Sequence, residues 1–210
     1  MRAGEKAYGI GMSYYADEII ELAGVMGLDF VNFDGQHAPT NPETIDRFCR
    51  LSDGWGVTPI MRVPDQIPSN ILNYIDRGIK AITVPFVNTK EELEAVVDCC
   101  YFMPRGHRSF TSNRVSRFGF VKDLKKMMED TNNDLLLMPQ IEDIIAYENL
   151  DEMLIKCLYR QLKLKEAIHI IRSFECTTPS SYSTLILWAK LYANFGDRSS
   201  VQNLLQYDYK

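Results

Sequence analysis

The sequence predicts an α/β fold built as part of a TIM-type (β/α)8 barrel, with about five parallel strands followed by an all-helical segment. Three observations predict it. Short apolar runs alternate with segments of helical spacing through the first 150 residues. Capping and glycine signals fall at the ends of those segments, and the strand pattern stops after Leu150. Strands alternating with helices of this length form βα units and a parallel sheet.

The elements follow in order. Strands are expected at Tyr8–Ser13, Phe30–Asp34, Thr58–Val63, Ala81–Phe86 and Leu135–Ile141. Helices are expected at Ala16–Met26, Pro42–Leu51, Pro68–Arg77, Thr89–Tyr101 and Val121–Asp130. In the first of these, Ile19, Ile20, Leu22 and Ala23 give it an apolar side. Asn41 before Pro42 reads as a helix cap ahead of a first-turn proline, and Thr89 with Glu92 as a capping box. Gly27, Gly54 and Gly78 sit where left-handed helix ends are expected. Residues 104–118 read as a long loop, a kind often functional in compact domains.

A closed barrel of this class needs eight strands and typically ~250 residues. Beyond Leu150 the pattern is helical: Leu154–Phe174, then Tyr182–Phe195 and Ser199–Gln206, broken by Thr177-Thr178-Pro179-Ser180 and by Gly196-Asp197. The expected division is therefore a barrel portion over residues 1–153 and a helical segment over 154–210. His169 lies among isoleucines and reads as structural.

Composition narrows the function classes. A net charge of −5 gives no general attraction to nucleic-acid backbones or anionic membranes. Residues 151–210 carry 8 Lys/Arg against 6 Asp/Glu, a weak basis for RNA binding. No apolar run reaches the ~20 residues of a membrane helix, and Met1–Lys6 lacks a signal-peptide core. Five scattered cysteines form neither a disulfide framework nor a zinc motif. Reduced thiols in the cytoplasm are the expectation.

Candidate chemistry gathers at strand ends. Asp34-Gly35-Gln36-His37 follows the second strand and puts a carboxylate and an imidazole at the mouth where parallel sheets do chemistry. Histidine moves protons near neutral pH. Arg62 ends the third strand, and could bind a carboxylate or an enolate oxygen; the alternative is an arginine paired with a nearby aspartate. Gln140 and Glu142 finish the fifth strand on one side, and Glu142 could ligate a hard cation. Read singly, each has a structural explanation, a capped turn for His37 and an ordinary strand-end carboxylate for Glu142.

These segments, in this order, resemble the HpcH/HpaI aldolases, or class II pyruvate aldolases, which share their fold with citrate lyase β-type enzymes. The resemblance rests on Gly27-Leu28-Asp29-Phe30-Val31, Asp34–Pro39, Arg62-Val63-Pro64, Val84–Thr89, Pro104-Arg105-Gly106, Ser116–Gly119, Pro139–Glu142 and Glu148–Asp151. It runs from about Gly9 to about Leu154. It implies a carbon–carbon lyase that cleaves a 4-hydroxy-2-keto acid, or a 2-keto-3-deoxy sugar acid, to pyruvate and an aldehyde through a metal-stabilised enolate. It implies His37 as acid/base supported by Asp34, Arg62 at the keto oxygen, Gln140 on pyruvate, and Glu142 as ligand to Mg²⁺, Mn²⁺ or Co²⁺. Asp76 resembles a residue reaching a neighbouring subunit's site, in a homo-oligomer.

Two departures stand out. Gln36 occupies the position where the family usually has Glu. The strand with the family's second metal ligand, a Gly-Pro-Ala-Asp-type motif, is not found. The competing reading is therefore a non-catalytic remnant or fusion whose tail makes protein contacts. The tail faintly resembles a pentatricopeptide repeat at Tyr182–Ile186 and Tyr192–Asp197; helices that cover the open sheet are the other reading.

Overall fold

The computed structural model describes residues 6–150 and Met153. Of these, 6–87 and 94–143 form one compact unit, and 88–93 with 144–150 and Met153 belong to a second. The expected helical segment 154–210 lies outside the described residues.

The first unit holds β1 (Gly9–Met12), α1 (Asp17–Val25), β2 (Phe30–Asp34), α2 (Pro42–Trp55), β3 (Thr58–Arg62), α3 (Pro68–Ile75), β4 (Ala81–Val84), α5 (Leu124–Asp134) and β5 (Leu136–Pro139). Between β4 and α5 come α4 (Lys90–Cys100) and a 3₁₀ turn (Arg117–Gly119). The second unit includes α6 (Ile144–Glu148). All five strands are parallel and lie in chain order. This is the sequential half-turn of a β/α barrel.

Strand alternation divides the sheet into two faces. Val31, Phe33, Met61, Ile82 and Val84 are all 0% exposed and form the helix-side core. Phe33 packs on Phe48 of α2 at 5.3 Å between ring centroids, and Tyr15 meets the same ring edge-on at 5.5 Å. Ile20, Ile45, Ile71 and Ile75 complete that layer from α1, α2 and α3. The residues between, Asn32, Asp34, Ile60, Arg62 and Thr83, are half-buried and face the other way. In register, Asp34 stands beside Arg62, Arg62 beside Thr83, and Thr83 beside Met138. Two residues on from Met138, Gln140 has the same parity.

The helix ends show where the sequence reading needs correction. Asn41 caps α2, its Oδ1 accepting from the Thr44 N–H at 2.9 Å. The Thr89–Glu92 capping box forms in both directions. Gly54 does not end α2, however. The helix runs on to Trp55 and stops at Gly56, whose φ of 71° is left-handed. A left-handed residue costs any side chain with a Cβ, so the helix ends at the glycine that adopts it. Likewise α5 begins at Leu124 rather than Val121, because the Asp123 carboxylate accepts from the Lys126 N–H at 3.0 Å. The fifth strand ends at Pro139, short of Gln140 and Glu142. One more ladder bond follows, Gln140 N–H to the Val84 carbonyl at 2.8 Å. Then the segment after β4 turns away at Phe86, with φ 54°.

Candidate active site at the strand C-terminal ends

Asp34 and Arg62 close the adjacent strands β2 and β3, and their side chains meet in a two-pronged pair. Arg62 Nη2 donates to Asp34 Oδ2 at 2.7 Å and Nε to Oδ1 at 3.1 Å. Such planar pairs are among the stronger polar contacts. The alternative left open for Arg62, an aspartate partner, is therefore present. Asp34 Oδ1 also accepts the backbone N–H groups of Gln36 at 3.0 Å and His37 at 3.2 Å, so one carboxylate folds the turn that carries the histidine. Partial burial pushes the Asp34 carboxyl up, but the Arg62 hydrogen bonds and charge and the two backbone donors outweigh it, and it lies below the usual carboxylate range. Arg62 is held above its ordinary value, first by its hydrogen bond to Asp34 and then by the charges of Asp34 and Glu142. Glu142, bound by the Phe86 N–H just after β4, lies at the same end of the sheet.

Gly35 is required by close approach. Its N–H donates to the Arg62 carbonyl at 2.7 Å, and a Cβ would stand 2.7 Å from that same oxygen. Tyr15 backs the turn: its hydroxyl donates to the Asp34 carbonyl at 2.7 Å and contacts the Thr40 hydroxyl. Burial pushes the Tyr15 phenol up.

On the far side of the mouth, Gln140 Nε2 donates to Glu142 Oε2 at 2.8 Å, and the Phe86 N–H donates to Glu142 Oε1 at 3.0 Å. Gln66, after β3, donates to the Phe86 carbonyl at 2.7 Å and so ties two mouth loops together. Sequence reasoning missed Phe86 and Gln66. Phe86 acts through its backbone in a left-handed conformation, which its side-chain type does not announce. Gln66 had only its place after a strand end as a signal.

His37 is exposed, three residues past Asp34. Asp34, Arg62, Gln140 and Glu142 are thus brought to one end, with His37 on the turn above them. Asp76 is not at this end of its own chain. It follows α3 and accepts from Arg108 Nη2 at 2.6 Å.

The donor set bears on the divalent metal that the resemblance implies. Both oxygens of Glu142 already accept hydrogen bonds, and both of Asp34 face Arg62 or backbone N–H groups. Among the described residues no group of three His, Cys, Asp or Glu could hold a metal ion. A Mg²⁺ or Mn²⁺ centre can rest on one or two carboxylates with water and substrate oxygens; at this end Glu142 is the carboxylate placed to supply one, while Asp34 is taken up by Arg62.

Parallel βα units in sequence, in strand order, define the β/α-barrel class of architecture. The chain belongs to the HpcH/HpaI aldolase/citrate lyase family, whose description matches residues 13–160. It is similar to a 2-keto-3-deoxy-L-rhamnonate aldolase of Escherichia coli, 28% identical over 156 residues, covering 73% of this chain and 57% of that protein. It is also similar to a 5-keto-4-deoxy-D-glucarate aldolase of Escherichia coli, 33% identical over 132 residues, covering 62% and 50%. The crystal structure of an HpcH/HpaI aldolase from Desulfitobacterium hafniense DCB-2 shares the fold, with a TM-score of 0.68 at 20% identity over 93% of this chain and 76% of that one. The chain spans about half the length of the curated relatives it matches. No helix among the described residues is long and apolar enough to cross a membrane.

Proposed function

We propose that this chain carries the keto-acid end of an aldolase that cleaves a 4-hydroxy-2-keto acid, of the 2-keto-3-deoxy sugar acid type, to pyruvate and an aldehyde. The observation that carries this reading is the Arg62 guanidinium, fixed by Asp34 at the end of β3 and in the field of Glu142. A fork held on one edge by a carboxylate is pre-oriented, so a second anion meets a cation that needs no reordering.

The chemistry asked of these groups is short. A base takes the proton of the C4 hydroxyl. The C3–C4 bond breaks, the aldehyde leaves, and the electron pair remains on C3 as the enolate of pyruvate. A proton delivered to C3 then gives the pyruvate methyl group. His37 suits the base role, because an exposed imidazole on a fixed turn can reach a bound hydroxyl. Arg62 meets the charge that develops on the enolate oxygen, and Gln140 offers its amide to the carboxylate of the keto acid. The same reading makes the partners a 2-keto acid and an aldehyde, places the protein in the cytoplasm and implies a homo-oligomer, with Asp76 at its subunit contact.

A second reading, a chain that keeps the binding half without turnover, is favoured by Asp34, the other carboxylate at this end, having both oxygens taken up by Arg62. Pyruvate release from a panel of 4-hydroxy-2-keto acids, with and without Mg²⁺, Mn²⁺ or Co²⁺, separates the two. Release that His37→Ala abolishes supports the lyase. No release from any substrate, with pyruvate still bound, supports the second reading.

A further inference from the structure

At the opposite end of the sheet lies a cavity of about 730 Å³. Lys80 and Leu135, immediately before β4 and β5, form part of its floor, and the loop between α4 and α5 forms its wall. Its lining carries six cationic side chains against four aspartates, in a chain whose net charge is −5. Most of those charges are paired. Arg108 pairs with Asp76 at 2.6 Å, Arg114 with Asp53, Lys126 with Asp130 at 3.2 Å and Lys80 with Asp134 at 3.8 Å. Arg117 and Lys122 make no ion pair among the described residues, and both are exposed at the rim.

Two further features point to an occupant. Arg108, whose side chain is only 2% exposed, lines the cavity, and its Nε has no hydrogen-bond partner. The Nε of Arg114 is in the same condition. A buried donor left unmade costs about 1–3 kcal/mol, and the cavity wall holds two of them. Phe120, also in the lining, is 91% exposed, and Ile75, Ile79 and Leu135 add apolar surface below it. A cavity with apolar floor and a few convergent polar groups is the ordinary form of a small-molecule site.

We propose that this cavity is a second binding site, distinct from the strand C-terminal mouth, for a small dianion with an apolar body, of the phosphate monoester class. Guanidinium forks match the geometry of phosphate oxygens. Arg117 and Lys122, the two lining cations without an ion pair among the described residues, suit a doubly charged head group, and the Phe120 ring offers a face to the body.

The test is calorimetric titration of the full chain with phenyl phosphate, inorganic phosphate, phthalate and phenol at pH 7.5 and low salt. Saturable one-to-one binding of phenyl phosphate is expected. Inorganic phosphate should bind at least about tenfold more weakly for want of an apolar body, and phenol not at all. Phthalate binding as tightly as phenyl phosphate would overturn the phosphate assignment. The double variant Arg117→Ala/Lys122→Ala changes only exposed side chains, and should weaken phenyl phosphate about tenfold or more, while Arg62→Met leaves it unchanged. No saturable binding, or equal affinity in the double variant, overturns the proposal. So does a loss that appears in Arg62→Met instead, since that would place the ligand at the other end of the sheet.

Discussion

Asp34 is the residue whose removal separates charge from shape at the mouth. Its carboxylate makes a two-pronged pair with Arg62 and accepts two backbone N–H groups. The two side chains are 25% and 17% exposed, so the pair is neither a solvated surface bridge nor a fully buried one. Surface pairs contribute about 0–1 kcal/mol, and hydrogen bonds to charged groups about 1.5–3 kcal/mol; a value of about 1–2 kcal/mol lies between. Asp34→Asn keeps an acceptor for the Gln36 and His37 N–H groups but loses the charge and the Oδ2 acceptor that faces Arg62 Nη2, so it should destabilise by at least about that amount. Asp34→Ala also strands the two N–H groups, which adds roughly another 1–2 kcal/mol. Urea unfolding reads both, as a fall in midpoint at unchanged slope. Equal midpoints for the two variants would refute the reasoning, since the turn would then not depend on the carboxylate as an acceptor.

The remaining predictions concern caps, acid and metal. Gly54→Ala, inside α2 with nothing within 4 Å of the new Cβ, should stabilise by roughly 0.5–1 kcal/mol, whereas Gly56→Ala, at φ 71°, should destabilise by about 1 kcal/mol; thermal midpoints moving in the same direction would contradict the assigned helix end. Because the folded-state value of Asp34 is depressed, its contribution is present above the unfolded carboxylate range near ~4 and fades as pH falls through the folded value. The stability gap between the natural chain and Asp34→Asn should therefore be full near neutral pH and narrow as pH falls below the unfolded carboxylate range, and a gap that widens in acid would be the wrong sign. Calorimetric titration with Mn²⁺ in the presence of pyruvate should show no micromolar binding by this chain alone; micromolar binding lost in Glu142→Gln would reveal ligands beyond the described residues.

Much of this arrangement was legible in the residues. Short apolar runs located all five strands, because the helix-side face must exclude water and its Val31, Phe33, Met61, Ile82 and Val84 do so completely. Strand-end position alone brought Asp34, Arg62, Gln140 and Glu142 to one mouth. The end of α2 was misplaced because Gly54 and Gly56 are two residues apart and either could end a helix; the choice depends on which one meets β3, a tertiary matter. Backbone donors such as the Phe86 N–H leave no trace in residue type. The Asp34–Arg62 pair needed the register of β2 on β3, which pattern cannot give. The cavity at the far end depends on how residues 101–123 fold back beneath β4 and β5, and loops carry no periodicity from which to read that.

The central claim is that Arg62 at the strand C-terminal mouth holds the keto acid. Ligand-observed NMR titration of pyruvate against the natural chain, Arg62→Met and Arg117→Ala/Lys122→Ala tests it most directly. The account predicts saturable binding that weakens about tenfold or more, or at least ~1.4 kcal/mol, in Arg62→Met and is unchanged in the double variant. Equal pyruvate affinity in the natural chain and Arg62→Met would contradict it.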